Sequence, residues 1–169
     1  MWQRFTLYDL RVIGHYLGVL VLFSTLGLLV PFVLAVACEE WEPASRYLLT
    51  IGITLILGSA LRFLRIEPGR LNQQQAMVVT GLAWIVLGFV ATIPMYLSGH
   101  YATFLDALFD GVSGVTTTGA TVIMDLDHLS NADNMWRFVL HFIGGLGLIV
   151  VALSFGLFGK RGGASLYSS

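Results

Sequence analysis

The residues best suited to do chemistry in this sequence form a run of small and β-branched side chains, Val115-Thr116-Thr117-Thr118-Gly119-Ala120-Thr121. Three consecutive threonines, Thr116, Thr117 and Thr118, disfavour helix and favour extended backbone. Gly119 permits backbone angles closed to other residues, so successive carbonyls can face one axis. A row of such oxygens is how an ion filter replaces a cation's hydration shell. By itself the run reads equally well as a Thr/Gly-rich turn with no ligand. Its setting favours the filter. Just beyond it, Asp125 and Asp127 have a plain reading as a solvated loop and a functional one as a negative mouth that concentrates cations.

Other constellations carry less. His15 and His141 fall in different apolar segments and His100 and His128 in loops, with no pair at the i, i+3 or i+4 spacing of a helical metal site. Each reads as a polar packing partner or an interfacial side chain. Gly144-Gly145-Leu146-Gly147 lacks the spacing, the preceding strand and the trailing acid of a nucleotide fingerprint. Those small residues read as close helix packing, as do Gly14 and Gly18. The single cysteine, Cys38, excludes an intrachain disulfide and reads as a small apolar filler at a membrane edge. No nucleophile is paired with a base. An enzyme is not expected, nor is a covalently bound cofactor.

The elements that must position the threonine run are apolar. Of 169 residues, 56% are hydrophobic and 11% charged, against roughly 25% charged in a typical soluble domain. Asp, Glu, Lys and Arg are absent from residues 12–38, 71–105 and 138–159. Each run exceeds the ~18 to 20 residues that cross a bilayer as a helix. This is a multi-pass membrane protein, with the lipid bilayer as its first partner. A net charge of −1 leaves no general basic field, so nucleic acid is not an expected partner. The first run is also nearly twice the ~7 to 15 apolar residues of a signal-peptide core.

Four spans emerge, over residues 12–37, 47–64, 76–97 and 138–158. The second is short, and Arg46 and Arg62 can snorkel to the two interfaces. Arg4, Arg11, Arg62, Arg65, Arg70, Lys160 and Arg161 fall on one side, leaving Arg46 and Arg137 opposite. Both termini should therefore be cytoplasmic.

That orientation requires residues 99–135 to begin and end outside. Residues 101–113 are helix-compatible, with Thr103 and Asp106 placed as an N-terminal cap. The charge-free stretch 111–124 would reach only about 21 Å as a helix, too short to cross. It can enter and return, with the negative end of a helix ending near Ser113 aimed inward.

The stretch from Asp106 to Thr121, DALFDGVSGVTTTGAT, closely resembles the first pore loop of TrkH-type potassium uptake proteins in the Trk/Ktr/HKT superfamily. Arg62-Phe63-Leu64-Arg65 and Glu67-Pro68-Gly69-Arg70-Leu71 resemble the family's loop before its first repeat. Trp136-Arg137 and the 144–147 glycines resemble its first inner helix, and residues 162–168 its link to the next repeat. Asp110 and Gly111 stand where the family more often has Glu and Ala, a departure that slightly weakens the pore helix.

The resemblance implies an all-α integral membrane protein: two N-terminal transmembrane helices, then one repeat of outer helix, pore helix, filter loop and inner helix. Residues 1–70 would hold the extra pair and a cytoplasmic loop, 71–160 the pore repeat, and 161–169 the start of a linker. It further implies potassium uptake across the plasma (bacterial inner) membrane, with potassium as substrate. The filter falls on Thr116, Thr117, Thr118 and Gly119, and the carbonyls of Thr117 and Thr118 would coordinate the ion. Expected partners are the remaining repeats, a second copy in a homodimer and a cytosolic nucleotide-binding regulatory subunit. The family carries four repeats, and one lies here, so we expect the chain to be a piece of a longer protein. A reading from another class is a non-conducting assembly subunit that keeps the fold of one repeat.

Overall fold

Thr6 opens the first helix by reciprocal capping: its hydroxyl accepts from the Asp9 amide at 3.4 Å, and its own amide donates to Asp9 Oδ2 at 2.7 Å. The computed structural model that begins there describes residues 6–63 and 73–163. Arg4, the loop residues 64–72 and the tail beyond 163 lie outside the described residues, and with them the expected boundary at 70. Five helices follow in order: α1 (Leu7–Ala37), α2 (Trp41–Arg62), α3 (Gln73–Leu97), α4 (Phe104–Val115) and α5 (Asn131–Gly163). Among the described residues there is no strand. The fold is all-α, and α1, α2, α3 and α5 are each long and apolar enough to cross a membrane.

α1 ends on a Schellman turn. The Glu40 amide donates to Ala35 O at 2.8 Å and the Glu39 amide to Val36 O at 3.2 Å, with Glu39 left-handed at φ 59°. The chain reverses there into α2. Gly18 and Gly58 bring the two backbones together, since a Cβ on Gly18 would lie 2.9 Å from Gly58 O. Thr25 donates to Thr54 across the same interface at 3.0 Å. His15 Nδ1 meets the Arg62 carbonyl at 3.0 Å near the opposite end of the pair.

The interior is mixed and the exterior apolar, the reverse of a soluble protein. Thr25, Thr50, Thr54, Thr92, Asp110 and Asp133 are buried, whereas Phe23, Val33, Ile56, Phe138, Phe142 and Leu146 are exposed. Such an apolar surface suits hydrocarbon and would aggregate in water. The core joins Leu28 of α1, Tyr47 of α2, Ala91 of α3 and Trp136 of α5, with the Trp136 indole donating to Ala91 O at 3.2 Å.

α2 and α5 begin earlier than charge-free segments suggest, because the charges that bounded those segments are paired. Arg46 Nη2 lies 3.1 Å from Asp133 Oδ2, which also accepts from Ser130, while Tyr47 donates to Asp133 Oδ1. Glu40 caps α5, accepting from the amides of Asn131 at 2.9 Å and Ala132 at 3.2 Å. The α1–α2 turn and the start of α5 therefore share one end of the bundle. Cys38 is an exposed C-cap of α1, not the apolar filler its sequence position suggested.

Candidate functional site

α4 is placed by its cap and by close contact with α3. Thr103 and Asp106 form the expected reciprocal box, with the Thr103 amide 2.9 Å from Asp106 Oδ2 and the Asp106 amide 3.2 Å from Thr103 Oγ1. The helix then descends antiparallel to α3. Phe104 packs edge-on to Tyr96 near the end of α3, Gly111 sits against Thr92, and Gly88 meets Val112. Gly88 lies nine residues inside the Leu97 end of α3, a depth of about 14 Å at 1.5 Å per residue. That is close to half of a ~30 Å hydrocarbon core. The C-terminal end of α4 therefore lies about halfway along α3.

What happens there is a second Schellman turn. The Thr117 amide donates to Gly114 O at 3.1 Å and the Thr118 amide to Ser113 O at 2.9 Å. Thr117 occupies the left-handed position at φ 58°, where glycine is usual and a β-branched residue is strained. Gly119 is also left-handed, at φ 76°. The threonine run is therefore a compact turn of alternating hand and not the extended strand expected. Local propensity is overruled by the unpaired carbonyls at the end of α4, which take the loop's amides.

Those amide bonds orient the carbonyls. In a planar trans peptide the C=O of one residue points opposite to the N–H of the next. The amides of Thr117, Thr118 and Gly119 face α4, at 3.1, 2.9 and 3.5 Å from their acceptors. The carbonyls of Thr116, Thr117 and Thr118 therefore face away from it. Among the described residues, none of these three oxygens, nor that of Gly119, accepts a hydrogen bond. The next carbonyl, Ala120 O, turns back and accepts from Ser113 Oγ at 2.7 Å.

The ascending limb is held by one buried carboxylate. Asp110, 2% exposed, accepts at Oδ2 from Thr121 Oγ1 at 2.7 Å, Tyr101 at 3.0 Å and Arg137 at 2.7 Å, and at Oδ1 from the Val122 amide at 3.0 Å. Burial first, then the Asp110 charge, pushes the Tyr101 phenol above its ordinary value, so it stays a donor. Arg137 anchors a further residue through its carbonyl, which lies 2.8 Å from His141 Nδ1. With Nδ1 bonded there, His141 Nε2 is left near Gly119, 3.7 Å from where a Cβ on that glycine would stand.

The structure thus gathers Thr116, Thr117, Thr118 and Gly119 at one helix end and leaves Asp125 and Asp127 apart on the exposed loop. Asp125 pairs with His128, while Asp127 has no partner among the described residues. No group of three His, Cys, Asp or Glu there is placed to hold a metal. The oxygens on offer are backbone ones, which suit a weakly bound, dehydrated cation. Asp110 and Arg137 are the residues that sequence reasoning undervalued. A readable signal existed, since an acid and a base bordering apolar segments must pair or meet water.

A family model described as TrkH, cation transport protein, matches residues 44–169. The chain is 36% identical to the Trk system potassium uptake protein TrkG of Escherichia coli over 94% of its own length and 33% of that protein's. With TrkH of the same organism the identity is 33%, over 93% of the chain and 33% of the relative. It thus spans about a third of the length of these curated relatives. The crystal structure of the potassium transporter TrkH from Vibrio parahaemolyticus superposes with a TM-score of 0.80 at 29% identity, covering 86% of this chain and 31% of that one.

Proposed function

Because the chain belongs to the TrkH family of cation transport proteins, we propose that it supplies one of four filter segments through which potassium enters the cell. One observation carries this reading: the carbonyls of Thr116, Thr117, Thr118 and Gly119 stand unpartnered about halfway along α3, three of them turned from α4 by its bonds to the following amides. Unpaired carbonyls in hydrocarbon cost several kcal/mol each. Potassium offsets that cost by taking the oxygens in place of its water. The carbonyls of Thr117 and Thr118 coordinate the ion, and the negative end of α4, worth roughly half an elementary charge, favours a cation there. Flux follows the electrochemical gradient.

Sidedness follows from the same pairings. Arg46 and Arg137, the two bases at the Glu40 end of the bundle, are both spent on buried acids. Among the described residues, Arg11, Arg62 and the backbone positions of Lys160 and Arg161 lie toward the other end, which is cytoplasmic by the positive-inside rule, and the membrane is the plasma membrane. Residues 1–70 form the accessory pair and 71–160 the pore repeat. Three further pore segments complete the ring, and a second copy and a cytosolic nucleotide-binding subunit are the partners the family resemblance implies.

The test is ion discrimination in the complete gene product. Gly119→Ser forces a side chain onto a left-handed residue, so the carbonyls tilt and sodium uptake rises relative to potassium. An unchanged uptake ratio in a strain lacking other potassium systems contradicts the filter assignment.

A further inference from the structure

The Asp110–Arg137 pair joins three elements, α4, α5 and the limb that returns past α4 after the turn. Arg137 Nη1 reaches Asp110 Oδ2 from α5 at 2.7 Å, and the Asp110 side chain is fully enclosed. On the other side, Asp110 holds Thr121 and the Val122 amide, the first residues after the turn. The lower end of that turn is fixed by Ser113, through its carbonyl to the Thr118 amide and its hydroxyl to Ala120 O. Residues 116–119 therefore run from the end of α4 to two attachments that sit one helical turn apart on that helix. One is neutral and local. The other is ionic and tied to α5.

We infer that Asp110 and Arg137 are positioning residues for ion discrimination, setting the height of the 116–119 carbonyls by fixing the upper end of the loop to both α4 and α5. The inference rests on the filter reading above. Neither side chain touches the ion. The carboxylate acts through the backbone it holds, and the guanidinium keeps the carboxylate aimed. Arg137 also orients His141 through its carbonyl, so a shift of Arg137 reaches Gly119 from the α5 side too. A structural ion pair and a positioning one differ in what rescues them. Removing one partner leaves a buried charge and harms folding, whereas removing both charges with shape retained restores folding.

The experiment compares Asp110→Asn, Arg137→Gln, the double variant and Gly119→Ser in the complete gene product. It reads potassium and sodium uptake, each normalised to the protein present in the membrane. The double variant should recover the membrane level that the single variants lose, yet discriminate potassium from sodium less well by roughly threefold or more. Asp110→Glu, which keeps the charge but lengthens the arm, should also shift the ratio. A double variant at normal level with an unchanged ratio overturns the positioning role, and if Gly119→Ser still alters the ratio the filter reading stands. If Gly119→Ser changes nothing either, the filter reading falls and the positioning role with it.

Discussion

A Cβ on Gly144 of α5 would overlap the carbonyl oxygen of Val115, the last residue of α4. The backbone of the inner helix therefore rests directly on the end of the short helix, with no side chain between. Gly145, one residue on, faces Thr117 with room to spare, a Cβ there lying 3.9 Å from Thr117 Cγ2. Gly144→Ala should destabilise the chain by about 1–3 kcal/mol, the range for overpacking a filled interior, and Gly145→Ala should be tolerated. Folded yield after detergent extraction measures both, and equal yields would contradict the contact.

Thr117 stores strain where Gly119 does not. Its left-handed backbone costs roughly 1–2 kcal/mol for a residue with a Cβ. Thr117→Gly should raise the thermal midpoint of the purified protein, since glycine takes that conformation freely. Thr118→Gly, at a residue without positive φ, should not. A lower midpoint for Thr117→Gly would mean that the threonine side chain, and not the turn, stabilises the loop.

The mouth prediction separates two acids. Asp125 is occupied by His128, and Asp127 is exposed and unpaired among the described residues. Asp127→Asn should therefore lower potassium uptake at low ionic strength more than Asp125→Asn does. The difference should vanish at high salt, where the Debye length is about 3 Å at 1 M. A loss that ignores salt would point to folding instead of electrostatics.

Reporter placement checks the re-entrant path. A tag in the Glu40 turn and one at Asp127 should be reached from outside the cell, and one at Gly69 from inside. Access to Gly69 and Asp127 from the same face would rule the path out.

Much of this was legible in the sequence because it rests on local pattern. The spans follow from charge-free length, and the start of α4 from Thr103 and Asp106 at capping distance. The conformation of Thr117 was not legible. Three threonines read as extended backbone, yet the partners of their amides are the end carbonyls of α4, a competition no propensity scale contains. The partner of Asp110 was equally hidden. An aspartate there in place of a longer acid reads as a weakened helix, and only the fold brings Arg137, 27 residues away, onto its carboxylate. Charged residues beside an apolar span mark where to look for such pairs without saying which pairs form.

Rubidium scatters anomalously and substitutes for potassium, so its position in crystals of the complete gene product tests the filter most directly. If those carbonyls line the filter, rubidium should lie on the pore axis in contact with the oxygens of Thr117 and Thr118. Anomalous density confined to other sites, with those oxygens bonded to protein or water alone, would contradict it.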